Sequence, residues 1–293
     1  MIKVVILGSG GAVPSPARSL PSVGIRYFGD VYLFDCGEGT QRQMMIHGLS
    51  YSKVKMIFLT HLHADHYIGI AGLMQTLKMN ERKEPLFIFG PTGTERCISS
   101  ILMGTYPFHI YIKEIDENFC LKNEKFKISA FKTNHNVRSI GYVFQENDSW
   151  NFNKEKADKL GIKGRMFRKL EREKEILIGR KKVKLEDVTK PKRGAKLVYT
   201  GDTTPCEEAL LASKGADLLI SDGTFSGQHS REAAEKMHST VVQAAELAKK
   251  AKAKQLVLVH LSNRYKDASP LEKEAKKIFK NSKVAFDGME ISI

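Results

Sequence analysis

Residues 58–70 read FLTHLHADHYIGI, and His61, His63, Asp65 and His66 fall within six consecutive positions of it. Imidazole nitrogens and carboxylate oxygens are the donors that zinc and similar first-row ions take. The cluster follows one apolar run and precedes another, so it stands where a buried strand ends. Enzymes built on α/β sheets place their chemistry at the carboxyl ends of strands. Three more ligand-type residues stand just past β-like runs: His135 after FKISAFKTN, Asp202 after KLVYTG and His260 after QLVLV. Together they make seven donors, five His and two Asp. Seven suits two ions that share one carboxylate, a site able to hold a bridging hydroxide and to clamp the oxygens of a phosphodiester. His47, His109 and His229 have no such context and read as structural or exposed.

These donors need strands and helices to hold them. IKVVIL (2–7), VGIRYF (23–28), VYLFD (31–35) and VKMIFLT (54–60) have strand character. GEGTQRQMMIHG (37–48) reads as a short helix after a glycine turn, and HYIGIAGLMQTLKM (66–79) as a helix with an apolar stripe. LFIFG, a helix near 92–103, HIYIKEI, FKISAFKT and GYVFQ follow, and then the pattern breaks over 146–195. It resumes with strands KLVYT (196–200), DLLIS (217–221) and QLVLVH (255–260), helices near 206–213, 239–252 and 270–280, and two short final strands. Two strand-and-helix blocks thus flank one insertion, and the expected architecture is an α/β sandwich with its sheets at the centre and helices outside. No run approaches the ~18 apolar residues of a membrane span, so no membrane partner is expected. The four cysteines are scattered, which fits a reducing cytoplasm rather than a disulfide framework.

The formal net charge is +14, which points to a polyanionic partner, nucleic acid above all. Most of the excess is local, since residues 154–196 hold 17 Lys/Arg against 7 Asp/Glu. Phosphate contacts from such a segment supply affinity and register, and folded RNA is read through its backbone and shape. Two other readings stay open on the residues alone: a small-molecule phosphodiesterase or thioester hydrolase, and a non-catalytic RNA-binding subunit on an inactive hydrolase scaffold.

The HxHxDH run, followed by His135, Asp202 and His260, resembles the metallo-β-lactamase superfamily. GSGGAVPSPARS (8–19), DCGEGTQRQM (35–44), THLHADHYIGIAGLMQTL (60–77), GDTTPCEEALL (201–211), GTFSGQ (223–228) and MHSTVVQAAELAKKAKAKQLVLVHLSNRY (237–265), with the basic insertion, narrow the resemblance to the ribonuclease Z branch. That resemblance implies one metallo-β-lactamase-fold domain over 1–293, an αβ/βα four-layer sandwich, with 146–195 inserted as a basic RNA-binding arm. It implies a zinc-dependent endoribonuclease that removes the 3′ trailer from precursor tRNA, cutting after the discriminator base and leaving a 3′ hydroxyl. Two zinc ions per subunit (or Mn2+ or another first-row ion) would be held, one by His61, His63 and His135, the other by Asp65, His66 and His260, with Asp202 bridging.

The resemblance also implies further roles. Asp35 would orient a ligand histidine, and Asp65 the attacking water. His238 would protonate the leaving oxygen, held by Asp222. Thr240, Arg264 and Arg18 are the expected phosphate contacts, and Lys163, Arg165, Arg168 and Lys169 the expected tRNA contacts of the arm. A homodimer is implied, with one subunit's arm serving the other's site; DNA is not an expected substrate. Three stretches depart from the family pattern. SDGT (221–224) has Asp222 where the family has the glutamate of His-Glu-Ala-Thr, PSPARS (14–19) stands for Pro-x-Lys-x-Arg-Asn, and GIKGRMFRKL (161–170) lacks the proline of the arm's Gly-Pro element.

Overall fold

In the strand Lys3–Gly8, Val4 and Ile6 point to one side and Val5 and Leu7 to the other, and all four are buried. A strand apolar on both faces must be covered on both. The same alternation recurs in Lys196–Tyr199, Leu218–Asp222 and Leu256–Val259, whose neighbouring residues fall into two different cores. The computed structural model describes residues 1–293 and shows how the chain answers this demand.

Two seven-stranded sheets lie face to face. The first runs in the order Glu290–Ser292, Lys3–Gly8, Ser22–Tyr27, Asp30–Phe34, Val54–Phe58, Leu86–Gly90, Ile110–Glu114. The second runs Ser282–Val284, Leu256–Val259, Leu218–Asp222, Lys196–Tyr199, Ile140–Glu146, Phe126–Lys132, Cys120–Lys122. Between them lies a core of 26 buried residues that includes Phe34, Phe58, Tyr142 and Tyr199. Helices Thr40–Ile46, Gly69–Met79 and Thr94–Ile101 cover the outer face of the first sheet, and Glu207–Ser213, Val241–Lys250 and Ser269–Ile278 that of the second. This is the four-layer αβ/βα sandwich of the metallo-β-lactamase fold. Strands Phe126–Lys132, Lys196–Tyr199, Leu218–Asp222 and Leu256–Val259 all run in one direction, so their carboxyl ends meet at one edge.

Three expectations need correction. The helix expected over 66–79 is two helices, Ala64–Tyr67 and Gly69–Met79. The break lets Cys36 N–H donate to the His66 carbonyl (2.7 Å) and Gly69 N–H to the Cys36 carbonyl (3.0 Å). Only glycine fits at 69, because a Cβ there would lie 1.8 Å from the Gly37 carbonyl oxygen. The strand Cys120–Lys122 and the helix Ser230–Glu235 were not expected, being too short and too polar to show periodicity. Finally, the segment 146–195 is not without pattern. Strands Ser149–Phe152 and Thr189–Lys192 pair as a stem, helices Lys154–Lys159 and Arg165–Glu173 follow, and Glu175–Ile178 pairs with Lys181–Lys184 ahead of a short helix, Leu185–Val188.

The arm has a core of its own. Ala157, Ile162, Leu170, Ile176, Val183, Leu185 and Val188 are buried together, and none belongs to the cores of the sandwich. So few apolar residues among so many charges hide the fold from a periodicity reading. Because the arm's core is separate, the arm should open without the sandwich. Leu170 is fully buried, and Leu170→Ala should cost the arm about 2–5 kcal/mol. Hydrogen exchange should then show protection reduced across 149–192 and kept in the sandwich strands. Equal reduction in both would mean that they unfold as one unit.

Candidate metal centre

All seven expected ligands converge at the edge where the strands end. His61, His63, Asp65 and His66 follow Val54–Phe58 on the first sheet; His135, Asp202 and His260 follow Phe126–Lys132, Lys196–Tyr199 and Leu256–Val259 on the second. His61 Nε2 lies 3.0 Å from His63 Nδ1, which lies 3.3 Å from His135 Nε2. In a second group, Asp65 Oδ2 is 3.7 Å from His66 Nε2 and 3.5 Å from His260 Nε2. One oxygen of Asp202 stands between the groups, 3.1 Å from His260 Nε2, 3.3 Å from His66 Nε2 and 3.7 Å from His61 Nε2.

The far side of each ring decides which nitrogen faces inward. His66 Nδ1 donates to Asp35 at 2.8 Å, and His135 Nδ1 donates to the Met237 carbonyl at 2.8 Å. Both partners only accept, so each Nδ1 carries a ring proton and each Nε2 is left as the nitrogen that faces the cluster. Nε2 of His66 and Nε2 of His260 are buried with no hydrogen-bond partner. Orphaned inward ring nitrogens are what a metal ion would complete. The protonation states of three of the histidines agree. Burial, with His66 adding to it, pushes His61 well below the ordinary histidine range, and burial also lowers His63 and His135. A ligand histidine must be neutral. His66 differs: burial opposes its charge, but Asp202 and Asp35 outweigh burial and hold it well above that range. A cation at its Nε2 would satisfy the same two carboxylates that the ring proton satisfies here.

His238 stands beside this cluster, its Nδ1 4.0 Å from Asp202 Oδ2. It donates from Nδ1 to Asp222 Oδ2 at 2.8 Å, so aspartate reaches despite lacking glutamate's extra methylene. Burial alone would lower His238, but Asp222 outweighs it and raises the ring to about 9. Asp222 thus favours the protonated ring of His238.

The first glycine-rich loop closes the site from the other side. Ala12 N–H donates to Asp65 Oδ2 at 3.0 Å, and a Cβ at Gly11 would lie 2.4 Å from the His260 ring. Asp287 clamps the loop by accepting from Ser9 N (3.0 Å), Ser9 Oγ (2.7 Å) and Ser19 N (2.6 Å). Arg18, expected at phosphate, belongs to this clamp: Nη1 donates to Ser9 Oγ and to the Ala285 carbonyl, both at 2.7 Å. Thr240 also has another task. It is buried, and its hydroxyl caps the helix Val241–Lys250 through Gln243. Arg264 forms a paired contact with Glu232 (2.7 and 2.5 Å) and lies over the Phe225 ring, which packs edge-on to His238. Lys163, Arg165, Arg168 and Lys169 are exposed on the arm. His47, His109 and His229 lie outside the cluster. Thr60, Met237 and the Asp287 clamp were not foreseen. Their roles depend on backbone turns and on partners up to 278 residues away, and no residue type advertises them.

Comparison with known proteins gives three kinds of match. A family profile described as "Anti-Pycsar protein Apyc1" matches residues 2–154, and one described as "Beta-lactamase superfamily domain" matches 188–261. Ribonuclease Z of Pyrococcus horikoshii is 44% identical over 271 residues, covering 90% of this chain and 88% of its own. Ribonuclease Z of Methanosarcina acetivorans is 41% identical over 300 aligned residues, covering 100% of this chain and 98% of its own. Among solved structures, human tRNase Z, short form, is 28% identical with a TM-score of 0.71 and covers 99% of both chains.

Asp35 offers a test of the site that needs no substrate. Asp35→Asn keeps the shape and removes the anion that faces His66 Nδ1. Metal affinity should fall by about 10- to 100-fold, the usual cost of losing such a partner, measured by competition with a chromophoric chelator. Unchanged affinity would separate Asp35 from the metal.

Proposed function

The chain belongs to the ribonuclease Z family, and on that premise we propose that it cuts precursor tRNA just after the discriminator base, using two zinc ions. It is an endoribonuclease of the metallo-β-lactamase fold, acting in tRNA 3′ processing. The observation that carries the finer reading is the convergence of two ligand groups on Asp202, with His238 and its Asp222 partner beside them. His61, His63 and His135 would hold one ion, and Asp65, His66 and His260 the other, with Asp202 shared. Bound there, the ions supply a water of lowered pKa and positive charge for the phosphodiester oxygens.

The remaining steps belong to the protein's own side chains. Asp65, held by the Ala12 N–H, orients the attacking water. His238 gives its Nε2 proton to the leaving 3′ oxygen, and Asp222 at Nδ1 keeps that proton available. The tRNA is released with a 3′ hydroxyl, and the trailer keeps the phosphate. Arg264, over Phe225 next to His238, is the phosphate contact that this geometry favours.

The arm supplies the grip on tRNA. Its root lies at Glu146 and Lys196, the amino end of the strand whose carboxyl end leads to Asp202. The arm thus leaves the sheet from the edge opposite to the ligands. This supports a homodimer in which each arm serves the partner's site, and the relatives' role in tRNA processing favours a cytoplasmic enzyme.

Incubation with a trailer-bearing precursor tRNA and mapping of the ends tests the reading. A tRNA 3′ hydroxyl and a trailer 5′ phosphate are expected. A cyclic phosphate, or no cut, would overturn it. His238→Ala should keep its metal and lose about 10²- to 10⁴-fold in turnover; near-normal cleavage would remove His238 from the mechanism. Replacing Lys163, Arg165, Arg168 and Lys169 by alanine should raise KM for precursor tRNA. It should also flatten the slope of log affinity against log salt by about 1 for each phosphate that is no longer neutralised. Hydrolysis of a small phosphodiester should not change, and its disappearance would mean that the arm acts on the chemistry itself.

A further inference from the structure

Both oxygens of Asp222 are in use. Oδ2 accepts from His238 Nδ1 (2.8 Å) and Thr203 N–H (3.1 Å); Oδ1 accepts from Thr224 N–H (2.9 Å) and from the Thr224 hydroxyl (2.7 Å). The same hydroxyl lies 3.0 Å from Nδ1 of His260. A carboxylate only accepts, and a hydroxyl has one proton to give. That proton goes to Asp222, so toward His260 the Thr224 oxygen must accept. Nδ1 of His260 therefore carries the ring proton. The lone pair sits at Nε2, the buried atom without a partner that faces Asp65 and Asp202. Thr224 is only 5% exposed, so solvent does not compete for its hydroxyl.

The first sheet builds the same device from different residues. Thr60 Oγ1 donates to Asp35 Oδ2 at 2.9 Å and accepts from His61 Nδ1 at 3.0 Å. Asp35 holds His66 directly and His61 through Thr60, while Asp222 holds His238 directly and His260 through Thr224. Each threonine ends on the outer nitrogen of a ligand.

We propose that Thr224 is a positioning residue that relays Asp222 to His260, so that one carboxylate sets both the acid His238 and a metal ligand. The proposal rests on the reading of the cluster as a metal centre. It makes Asp222 more than the acid's partner: losing it should disturb metal binding as well as turnover, whereas losing His238 should spare the metal.

Two measurements test this. Nitrogen-15 spectra of the metal-free wild-type chain should show His260 protonated at Nδ1; protonation at Nε2 would overturn the relay, whatever any variant does. Thr224→Val keeps the shape and removes the hydroxyl. Chelator competition should find one of its two zinc ions bound about 10- to 100-fold more weakly, with Thr224→Ser restoring affinity. Thr224→Ala serves in the same way if the valine variant does not fold. Asp222→Asn should weaken one ion too, and His238→Ala neither. A hydroxyl that only supports the fold would lower Tm in Thr224→Val and leave both affinities unchanged, which would sink the proposal. Wild-type protein that binds no metal would overturn the underlying reading of the site instead, a distinct result.

Discussion

The buried carboxylate of Asp35 is the group that both halves of the site depend on. It accepts from Thr60 N–H, from His66 Nδ1 and from the Tyr199 hydroxyl, each at 2.8 Å. Thr60 and His66 belong to the ligand loop of the first sheet, and Tyr199 ends a strand of the second. A buried charge with a missing partner is strongly destabilising. Asp35 is therefore tolerable only when the two sheets meet in register and deliver all of its donors. Two more bonds close the same seam: Tyr142 hydroxyl to the Leu59 carbonyl (2.6 Å) and Ile140 N–H to the Thr60 carbonyl (2.9 Å). Sheet packing and ligand orientation are thus one problem with one solution.

Backbone strain gathers at the same place. Ala12, Asp35, Met237 and His260 all have positive φ, between 57° and 61°. Such conformations cost non-glycine residues about 1–3 kcal/mol each and persist where the surroundings over-determine them. Here each has a use. Ala12 turns its N–H to Asp65, Asp35 points back at His66, Met237 offers its carbonyl to His135, and His260 aims its ring at Asp202. Met237 and His238 are adjacent, so one strained turn orients His135 and carries the proposed acid. The rigidity of the 26-residue core beneath is what can hold four such residues at once.

How much of this is legible in the sequence follows from the range of each interaction. Ligands just past apolar strands can be found because strand and ligand are neighbours in sequence, as with QLVLV and His260. The α/β sandwich can be read because its strands are apolar on both faces. The helix break at Ile68 cannot, since it answers to Gly37, a residue on another turn of the chain. The partners of Arg18 are hidden for a related reason. A cation in a glycine-rich loop invites a phosphate, but here Arg18 donates to the Ala285 carbonyl, at the far end of the chain, and to Ser9, which Asp287 holds. The arm's fold stays hidden because seven buried residues spread over 157–188 make no period long enough to see.

The ligand cluster and the basic arm rest on separate cores in this chain, and on the proposed roles that separation constrains what it can cut. The ligand cluster sits at one edge of the second sheet and the arm's root at the other. On the proposed mechanism the site itself is indifferent to sequence: water, metal charge and an imidazolium would act on any phosphodiester that reaches them. Selectivity must then come from a substrate large and rigid enough to touch a basic arm and the site together. A flexible single strand meets that condition only at a high entropic cost. A folded tRNA meets it at little cost, and a second copy of the chain that brings its arm toward the first subunit's ligands would let the tRNA meet it with one compact body.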